Sequence, residues 1–454
     1  MLQERPLKRL CKSNLTFVSG VGKTRRQARI ILLAWDLLEL FKRSAFPNEL
    51  PPEQQQWKTI MSRYHASGAP EAISNSFNSF NSFNSFNSFN SFNSFGSESP
   101  LGAEALLTSR DGIVGAPLDL NAKITQNPPH AEAMLPRLSL DVRASIYMSE
   151  LGSRVSFSED HHKSSPRVSI WRLDQRKNAP PIIDEEPLVQ LTLPDIEKFK
   201  EQIVFLSSYA DLRADRAPEI LAQLAPPVPF FSSVIFMDPA RTPYTLELLS
   251  AALRFSNYCV MRVKYGLSGK RPIEFSPQIQ PMIPTPTHGT LPSGHATEAF
   301  LIARLLWKLM RTGASPQYQQ DKGVWGEMLM RLASRIAVNR TIAGVHFPVD
   351  SAAGELLGLT LADIVEELAV PREKKRICAS FDGMNYDPRD DFEWQLLYTP
   401  SDDEQCSYAG RKKKPWATSA LRKTTKHTVG ATALGWLWHK AVEEWKDIAT
   451  PRMQ

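Results

Sequence analysis

Two histidines lie in the loop-like stretch TPTHGTLPSGHATEAF, which spans residues 285–300. His295 opens an apolar run with helical spacing, and Ser293 and Gly294 come directly before it. At a helix N-terminus the free backbone N–H groups, a capping hydroxyl and the positive end of the helix dipole all favour an anion. A histidine beside that anion could donate a proton to a departing oxygen. The alternative is a serine cap next to an incidental histidine.

A second cluster with chemical potential is NRTIAGVHFPVDS, at residues 339–351. Arg340 falls on the apolar stripe of the helix predicted there, and not on its polar face. The stripe consists of Leu329, Ala333, Ile336, Ala337 and Ala343. A buried cation needs an anionic partner, which is either a ligand or a core carboxylate such as Asp350. His346 and Asp350 are spaced so that the carboxylate can hold one imidazole nitrogen, which leaves the other nitrogen unprotonated and nucleophilic.

The third cluster is KYGLSGKRP, in which Lys264 and Arg271 are seven residues apart. Gly266 and Gly269 between them predict a turn, so the two cations could converge. A solvated basic loop explains this segment equally well when it is considered alone. Together, however, the three clusters contain three cations, a helix N-terminus and two histidines. This combination indicates a pocket for a tetrahedral oxyanion, with a nucleophile and an acid.

The motifs K-x6-R-P, P-S-G-H and R-x5-H-x3-D occur here in that order. They resemble the signature of the superfamily that joins type 2 phosphatidic acid phosphatases, bacterial class A acid phosphatases and vanadium-dependent haloperoxidases. The resemblance covers about residues 190–370. It implies an all-α fold, a helical bundle of the acid phosphatase/vanadium haloperoxidase type, and this agrees with the helical periodicity of that region.

The resemblance also implies roles for individual residues. The residues that match phosphate- or vanadate-binding positions are Lys264, Arg271, Ser293, Gly294 and Arg340. His346 matches the nucleophile that forms phosphohistidine in the phosphatases, or the residue bonded to vanadium in the haloperoxidases. Asp350 matches the residue that orients this histidine, and His295 matches the acid–base.

Two further residues bear on the branch of the superfamily. His288 lies seven residues before His295, as in the similar T-H-x-x-x-P-S-G-H arrangement of algal bromoperoxidases, where such a histidine tunes the vanadium centre by hydrogen bonding. The alternative is a turn histidine in a Pro/Gly loop. Met261 stands three residues before Lys264, where haloperoxidases tend to have tryptophan, and this difference argues against halide oxidation.

The prediction is a haloperoxidase-like enzyme of the soluble branch that holds vanadate as its cofactor and oxidises halide with hydrogen peroxide. The alternative enzyme is a phosphomonoesterase that works through phosphohistidine and needs no cofactor. A third possibility is a scaffold that uses its low-complexity repeat and basic ends, with a vestigial pocket. It is the weakest of the three because every motif residue is present.

The chain divides into five predicted regions according to composition and periodicity. They are a basic N-terminal region with one amphipathic helix from Ile30 (1–74), a disordered linker of NSF repeats (75–100), a mixed Pro-rich region with short helices (101–190), the catalytic helical domain (191–370), and a tail with a basic cluster and a terminal helix (371–454). Strand-like Val and Ile alternation is scarce beyond Leu193, in keeping with an all-α catalytic domain.

The formal charge of +6 is concentrated near the two ends. Residues 1–30 contain eight Lys or Arg and one acid, and residues 411–426 contain seven and none. These ends could make weak contacts with anionic surfaces, although solvated basic segments are the commoner case. No signal peptide is visible, and the longest uncharged run, Ile220 to Met237, is interrupted by prolines. A cytoplasmic protein without a transmembrane segment is therefore predicted, and its four dispersed cysteines fit a reducing compartment.

Overall fold

The computed structural model describes residue 127 and residues 132–161, 165–176, 179–314, 323–371, 375–398, 414–423 and 432–446. The amphipathic helix predicted from Ile30 and the NSF-repeat linker lie outside these residues. The basic segment 411–426 is described only in part. The five-region division of the chain therefore stays a prediction.

Ten α-helices lie within the described ranges. They are α1 (Leu140–Gly152), α2 (Ile196–Tyr209), α3 (Arg213–Ala222), α4 (Val228–Ile235), α5 (Pro243–Leu267), α6 (Pro272–Phe275), α7 (Gly294–Gly313), α8 (Val324–Ile342), α9 (Pro348–Ala369) and α10 (Thr432–Glu444). The starts follow local rules: Ser293 caps α7 by accepting from the backbone N–H of Ala296, and α5 and α9 each begin with a proline. Eight of the ten, α2 to α9, lie between residues 193 and 370, where helical periodicity predicted five or more.

Helix α7 lies at the centre of the helical body and packs against α5, α8 and α9. Its close approach to α9 depends on glycine. A Cβ atom at Gly354 would lie 2.7 Å from the carbonyl oxygen of Ser293. The two helices are joined at that end, where the backbone N–H of Ser293 donates to the carbonyl of Asp350 at 2.9 Å. This packing holds the first turn of α7 beside the first turn of α9.

A six-stranded sheet adjoins the helices, so the prediction of a purely all-α fold is wrong. The strands are β1 (Val155–Asp160), β2 (Arg167–Arg176), β3 (Ala179–Ile183), β4 (Val189–Thr192), β5 (Lys375–Asp382) and β6 (Ala417–Lys423). The order is β1-β2-β4-β5-β6, and β3 pairs with β2. All pairs are antiparallel except β4 with β5, which are parallel.

The sheet joins parts of the chain on both sides of the predicted catalytic domain. Strand β4 lies across the start of that domain and β5 follows its end, and Val189 lies opposite Ala379 in their shared register. Buried side chains of the sheet include Val168 and Ile170 on β2, Leu191 on β4 and Phe381 on β5. Their burial against the helices stabilises strands that are too short and too polar in sequence to show a clear alternation.

No helix in the described part of the chain is both long and apolar enough to cross a membrane. The uncharged run from Ile220 to Met237 is divided between the end of α3 and the short α4, with residues 223–227 between them. The prolines at 226 and 227 lie in that break, as a helix-breaking role predicts.

Candidate active site

Lys264 and the loop that carries His288 are held together by buried hydrogen bonds. Lys264 lies in the last turn of α5, and its Nζ donates to the carbonyl oxygens of Gly289 and Thr290, each at 2.8 Å. Burial lowers the pKa of Lys264 well below its usual value, and the neighbouring Arg271 lowers it further. The lysine therefore fixes the loop before α7 against the end of α5.

Arg271 caps the short helix α6 and reaches both histidines of the candidate site. Its Nη1 donates to the carbonyl of Val345 at 2.8 Å and lies 3.0 Å from Nε2 of His346. Its Nη2 lies 2.9 Å from Nδ1 of His288. A guanidinium only donates, so Nε2 of His346 accepts and carries no proton. Nδ1 of His288 also lies 3.2 Å from the carbonyl oxygen of Gly289. Burial lowers the pKa of Arg271 to about 10, which leaves it charged at neutral pH.

His346 is oriented by Asp350 at the start of α9. Its Nδ1 lies 3.0 Å from Oδ2 of Asp350, an atom that also accepts from the Thr290 hydroxyl at 2.5 Å and from the Phe347 backbone N–H at 2.9 Å. Burial lowers the pKa of His346 well below its usual value and raises that of Asp350 to about 6. The result is a neutral imidazole with its proton on Nδ1 and its lone pair on Nε2.

The start of α7 supplies the third part of the site. Ser293 caps the helix, and Gly294 and His295 occupy its first turn. Nε2 of His295 lies 2.9 Å from the carbonyl oxygen of Gln223, so this nitrogen donates and Nδ1 is the free acceptor. Burial, followed by the charge of Arg340, lowers the pKa of His295 to about 3.

Arg340 is fully buried on α8, as its position on the apolar stripe predicted. Its Nη2 donates to Oε1 of Gln223 at 3.0 Å, and its Nε and Nη1 have no hydrogen-bond partner among the described residues. It forms no ion pair with Asp350, whose carboxylate is bonded to His346. Burial lowers the pKa of Arg340 to about 10. A buried guanidinium with two unsatisfied N–H groups is suited to an anionic ligand.

A cavity of about 160 Å³ lies where these parts meet. Its polar lining consists of Asn257, His288, Gly294, His295, Glu298 and His346. The cations lie behind this lining and are linked to it by hydrogen bonds: Arg271 bonds two of the histidines, and Gln223 joins Arg340 to His295. All eight residues of the predicted pocket, together with His288, therefore converge on one small region.

Four residues of this region were missed by sequence reasoning. Thr290 and Gln223 act through tertiary hydrogen bonds, and nothing in their local sequence indicates them. Glu298 had a usable signal, because it is the only acid in the apolar helix GHATEAFLIARLLWKLM. Asn257 lies on the face of α5 that also carries Met261 and Lys264, at spacings of four and seven residues.

No group of three or more His, Cys, Asp and Glu side chains in the described ranges could hold a metal ion. The site is instead an array of buried donors around a neutral histidine. Its charge and hydrogen-bonding groups suit a tetrahedral oxyanion such as phosphate or vanadate.

A family model described as the PAP2 superfamily matches residues 245–368, and the chain therefore contains a PAP2 superfamily domain. All three motifs lie inside the matched segment, so the resemblance is confirmed at the level of the superfamily. Among solved structures, the chain is similar to a transmembrane PAP2-type phosphatidylglycerolphosphate phosphatase from Bacillus subtilis, with 18% identity, a TM-score of 0.26, and coverage of 37% of this chain and 81% of that one. No curated protein matches the chain.

Proposed function

We propose that this protein is a phosphomonoesterase of the PAP2 superfamily that works through a phosphohistidine at His346. One observation carries the proposal: Asp350 holds Nδ1 of His346, Nε2 of the same ring lies 3.0 Å from Nη1 of Arg271, and His346 lines the cavity. A neutral imidazole fixed in this tautomer has its lone pair directed at the position where a phosphate would bind.

Binding precedes the chemistry. The phosphate oxygens take hydrogen bonds from Lys264, Arg271 and Arg340 and from the backbone N–H groups at the start of α7. Arg271 exchanges its bond to Nε2 of His346 for a bond to a phosphate oxygen, and this exchange frees the nucleophile. The unsatisfied Nε and Nη1 of Arg340 gain partners in the same step.

In the first chemical step Nε2 of His346 attacks phosphorus, and the bond between phosphorus and the ester oxygen breaks. The developing positive charge on the ring is stabilised by Asp350 through Nδ1–H. The negative charge of the bound phosphate raises the pKa of His295 above its low value in the free pocket, so Nδ1 takes up a proton from the monoanionic phosphate ester or from solvent. Nδ1–H then gives this proton to the departing alkoxide, which leaves as the alcohol.

In the second step a water molecule attacks the phosphoryl group on His346, and the N–P bond breaks. Nδ1 of His295 takes the proton from this water, while Nε2–H remains bonded to the carbonyl of Gln223. Inorganic phosphate then leaves, and both histidines return to their starting protonation states. No metal ion takes part in this scheme.

The direct test is to trap the intermediate. The full-length protein is mixed with p-nitrophenyl phosphate, quenched in base, and examined by mass spectrometry for a phosphoryl group on the peptide that contains His346. We expect burst release of nitrophenol, phosphorylation of that histidine, and loss of both in His346→Ala. Turnover that continues in His346→Ala, or turnover without any phosphohistidine, would overturn the proposal.

Vanadium-dependent halide oxidation is the second candidate, and the position of His288 favours it. His288 lies on the cavity wall with His346, and Arg271 bonds both rings. The residues proposed to bind phosphate would equally hold vanadate, with His346 as its ligand, and bound vanadate would supply activation of hydrogen peroxide. Met261, which replaces the tryptophan of the haloperoxidases, also lines this cavity.

Bromination of a reporter dye separates the two reactions. Protein loaded with orthovanadate is supplied with bromide and hydrogen peroxide, and His346→Ala serves as the control. Bromination that is lost in the control would establish the haloperoxidase reaction. Vanadate binding without bromination would leave phosphate-ester hydrolysis as the function.

A further inference from the structure

Beyond the phosphate-binding groups, the cavity contains two polar side chains that the mechanism does not use. Asn257 of α5 and Glu298 of α7 both line it. Neither side chain forms a hydrogen bond with any other residue in the described part of the chain. Both side chains are half-buried, and neither contributes an atom to the buried polar atoms that lack a hydrogen-bond partner. Their polar atoms are therefore open to the cavity, where a bound ligand can replace water as their hydrogen-bond partner.

Their position relative to the phosphate site follows from the two helices. Asn257 lies seven residues before Lys264 on α5, and Glu298 lies four residues after Gly294 on α7. The end of α5 and the start of α7 meet at the phosphate site. Both residues therefore lie about one to two helical turns away from that site, each on its own helix. They therefore face the part of a substrate beyond its phosphate, which is the organic group of the ester.

The remaining walls of the cavity are apolar. They are formed by Leu224, Ala225, Pro226, Leu253, Met261 and Pro286. A small carbon skeleton can pack on these side chains while its polar substituents meet Asn257 and Glu298. The volume of about 160 Å³ excludes a large headgroup from the enclosed part of the site.

The charge of the region discriminates between hydroxyl and ammonium substituents. Lys264 and Arg340 both act electrostatically on Glu298, so an additional cation is disfavoured there. Burial raises the pKa of Glu298 to about 7, and the negative charge of a bound phosphate raises it further. A neutral carboxyl can both donate to and accept from a hydroxyl, and the Asn257 amide can do the same.

We infer that Glu298 and Asn257 form a leaving-group subsite that selects phosphate esters of small hydroxylated alcohols over esters of plain alkyl alcohols of the same length. The inference rests on the proposed function, since it assumes that a phosphate ester occupies the cavity. It adds the chemical class of the alcohol that the enzyme releases.

The test measures binding, so it does not depend on turnover. The full-length chain carrying His346→Ala is titrated by calorimetry with glycerol 3-phosphate, propyl phosphate, ethanolamine phosphate and inorganic phosphate. Glycerol 3-phosphate and propyl phosphate have the same three-carbon length and differ by two hydroxyls. We expect glycerol 3-phosphate to bind about tenfold more tightly than propyl phosphate, an effect of the size expected for two hydrogen bonds to hydroxyls.

Substitutions in the subsite assign the preference to its residues. In Glu298→Leu the preference for glycerol 3-phosphate disappears, while inorganic phosphate binds equally well or better. Glu298→Gln keeps most of the preference because an amide still bonds a hydroxyl. Glu201→Gln, which removes an acid exposed on α2, leaves all four affinities unchanged. Competition against tungstate in the wild-type chain checks that the His346 substitution has not altered the pocket.

The outcomes separate the two proposals. If inorganic phosphate binds but propyl phosphate binds as tightly as glycerol 3-phosphate, the subsite is overturned and the phosphatase proposal survives. Tightest binding of ethanolamine phosphate, or a preference that survives in Glu298→Leu, overturns it as well. If inorganic phosphate does not bind at all, the proposed function fails and this inference fails with it.

Discussion

The two ends of α5 carry buried charges in opposite arrangements. Near its start, the carboxylate of Glu247 accepts hydrogen bonds from Nε and Nη2 of Arg143, at 2.6 and 2.8 Å, and from the Tyr147 hydroxyl, at 3.0 Å. Near its end, Lys264 lies in the oxyanion site. Among the described residues, the only carboxylate that bonds the side chain of a predicted site residue there is Asp350, which bonds His346. Within the described ranges, the guanidinium groups of Arg271 and Arg340 form no ion pair with a carboxylate.

The pKa values reflect the same difference. The hydrogen bond to Glu247 raises the pKa of Arg143, whereas burial lowers the pKa of Arg340 to about 10. Every nitrogen of Arg143 bonds a protein oxygen, but two nitrogens of Arg340 have no partner within the described ranges. A buried arginine that is satisfied by its own fold stabilises the fold, whereas one left unsatisfied indicates a ligand.

Exchange of one carboxylate for an amide in the cluster at each end of α5, Asp350 of α9 or Glu247 of α5 itself, should separate the two roles most strongly. In Asp350→Asn the hold on the His346 tautomer is weakened, because the amide cannot stabilise the charge that develops on the ring. We expect kcat for p-nitrophenyl phosphate to fall by about 10³ or more, with only a small change in the melting temperature. Steady-state kinetics and thermal unfolding of the same preparation check this. Loss of folding without a specific loss of kcat would contradict it.

The matched substitution, Glu247→Gln, should lower the stability of the fold and leave catalysis unchanged. It leaves Arg143 buried without an anion, and breaking such a pair costs about 3–5 kcal/mol of unfolding free energy. We expect a melting temperature lower by about 5–10 °C. In the protein that remains folded at 20 °C, kcat and KM should not change. A normal melting temperature, or a selective loss of kcat, would show that the comparison between the two clusters is wrong.

Substitution of Arg340, which has two unsatisfied nitrogens, tests the comparison by its effect on anion binding. Arg340→Met deletes a buried charge that forms no ion pair with any carboxylate in the described part of the chain, so stability should be unchanged or slightly higher. Tungstate, a tetrahedral dianion that is not hydrolysed, should bind about 100-fold more weakly because a buried charge-assisted interaction is lost. Calorimetry measures this, and Arg143→Met is the control, with lower stability and unchanged tungstate affinity. Equal losses of stability in both variants would remove the distinction.

The residues of the oxyanion site could be predicted because each one stands in a local pattern. Ser293 and Gly294 precede an apolar helix, Arg340 falls on a buried stripe, and Asp350 follows His346 by one turn. Their partners could not be predicted in the same way. Gln223 reaches Arg340 and His295 from the end of α3, and only the tertiary packing of α3 against α8 places it there.

The sheet was missed for a related physical reason. Strand β2 reads RVSIWRLDQR, in which charged and apolar residues are mixed, and β4 has only four residues. The parallel pairing of β4 with β5 joins segments on opposite sides of the helical domain, and no local sequence pattern encodes such a pairing. Helical periodicity therefore predicted five or more helices between residues 193 and 370 and gave no sign of the strands that adjoin them.

Glu298 is the one acid on the cavity wall, and it sharpens the comparison because the charges of Lys264 and Arg340 act on it although it forms no ion pair with either. With a pKa of about 7 it is mostly neutral at pH 6 and mostly charged at pH 8. Its negative charge repels an anion, so tungstate affinity in the wild type should fall over this range by about tenfold more than in Glu298→Gln. The other titratable groups near the cavity, Lys264, Asp350 and the histidines, are common to both proteins, so the difference isolates Glu298. Equal pH profiles would show that its charge does not reach the site.

The pH dependence of protein stability provides an independent test of the raised pKa of Glu298. The pKa of Glu298 is higher in the folded state, at about 7, than its ordinary value of 4.5, so between these values the folded protein binds more protons than the unfolded chain. This contribution to stability is present below pH 4.5 and is lost as the pH rises through 7. Glu298→Gln cannot lose it, so its melting temperature should exceed that of the wild type at pH 8 and equal it at pH 4.5. Glu201→Gln, at an exposed position, should follow the wild type at both pH values. A wild-type protein as stable as Glu298→Gln at pH 8 would mean that the carboxylate is solvated, and that the cavity does not force this acid to remain protonated.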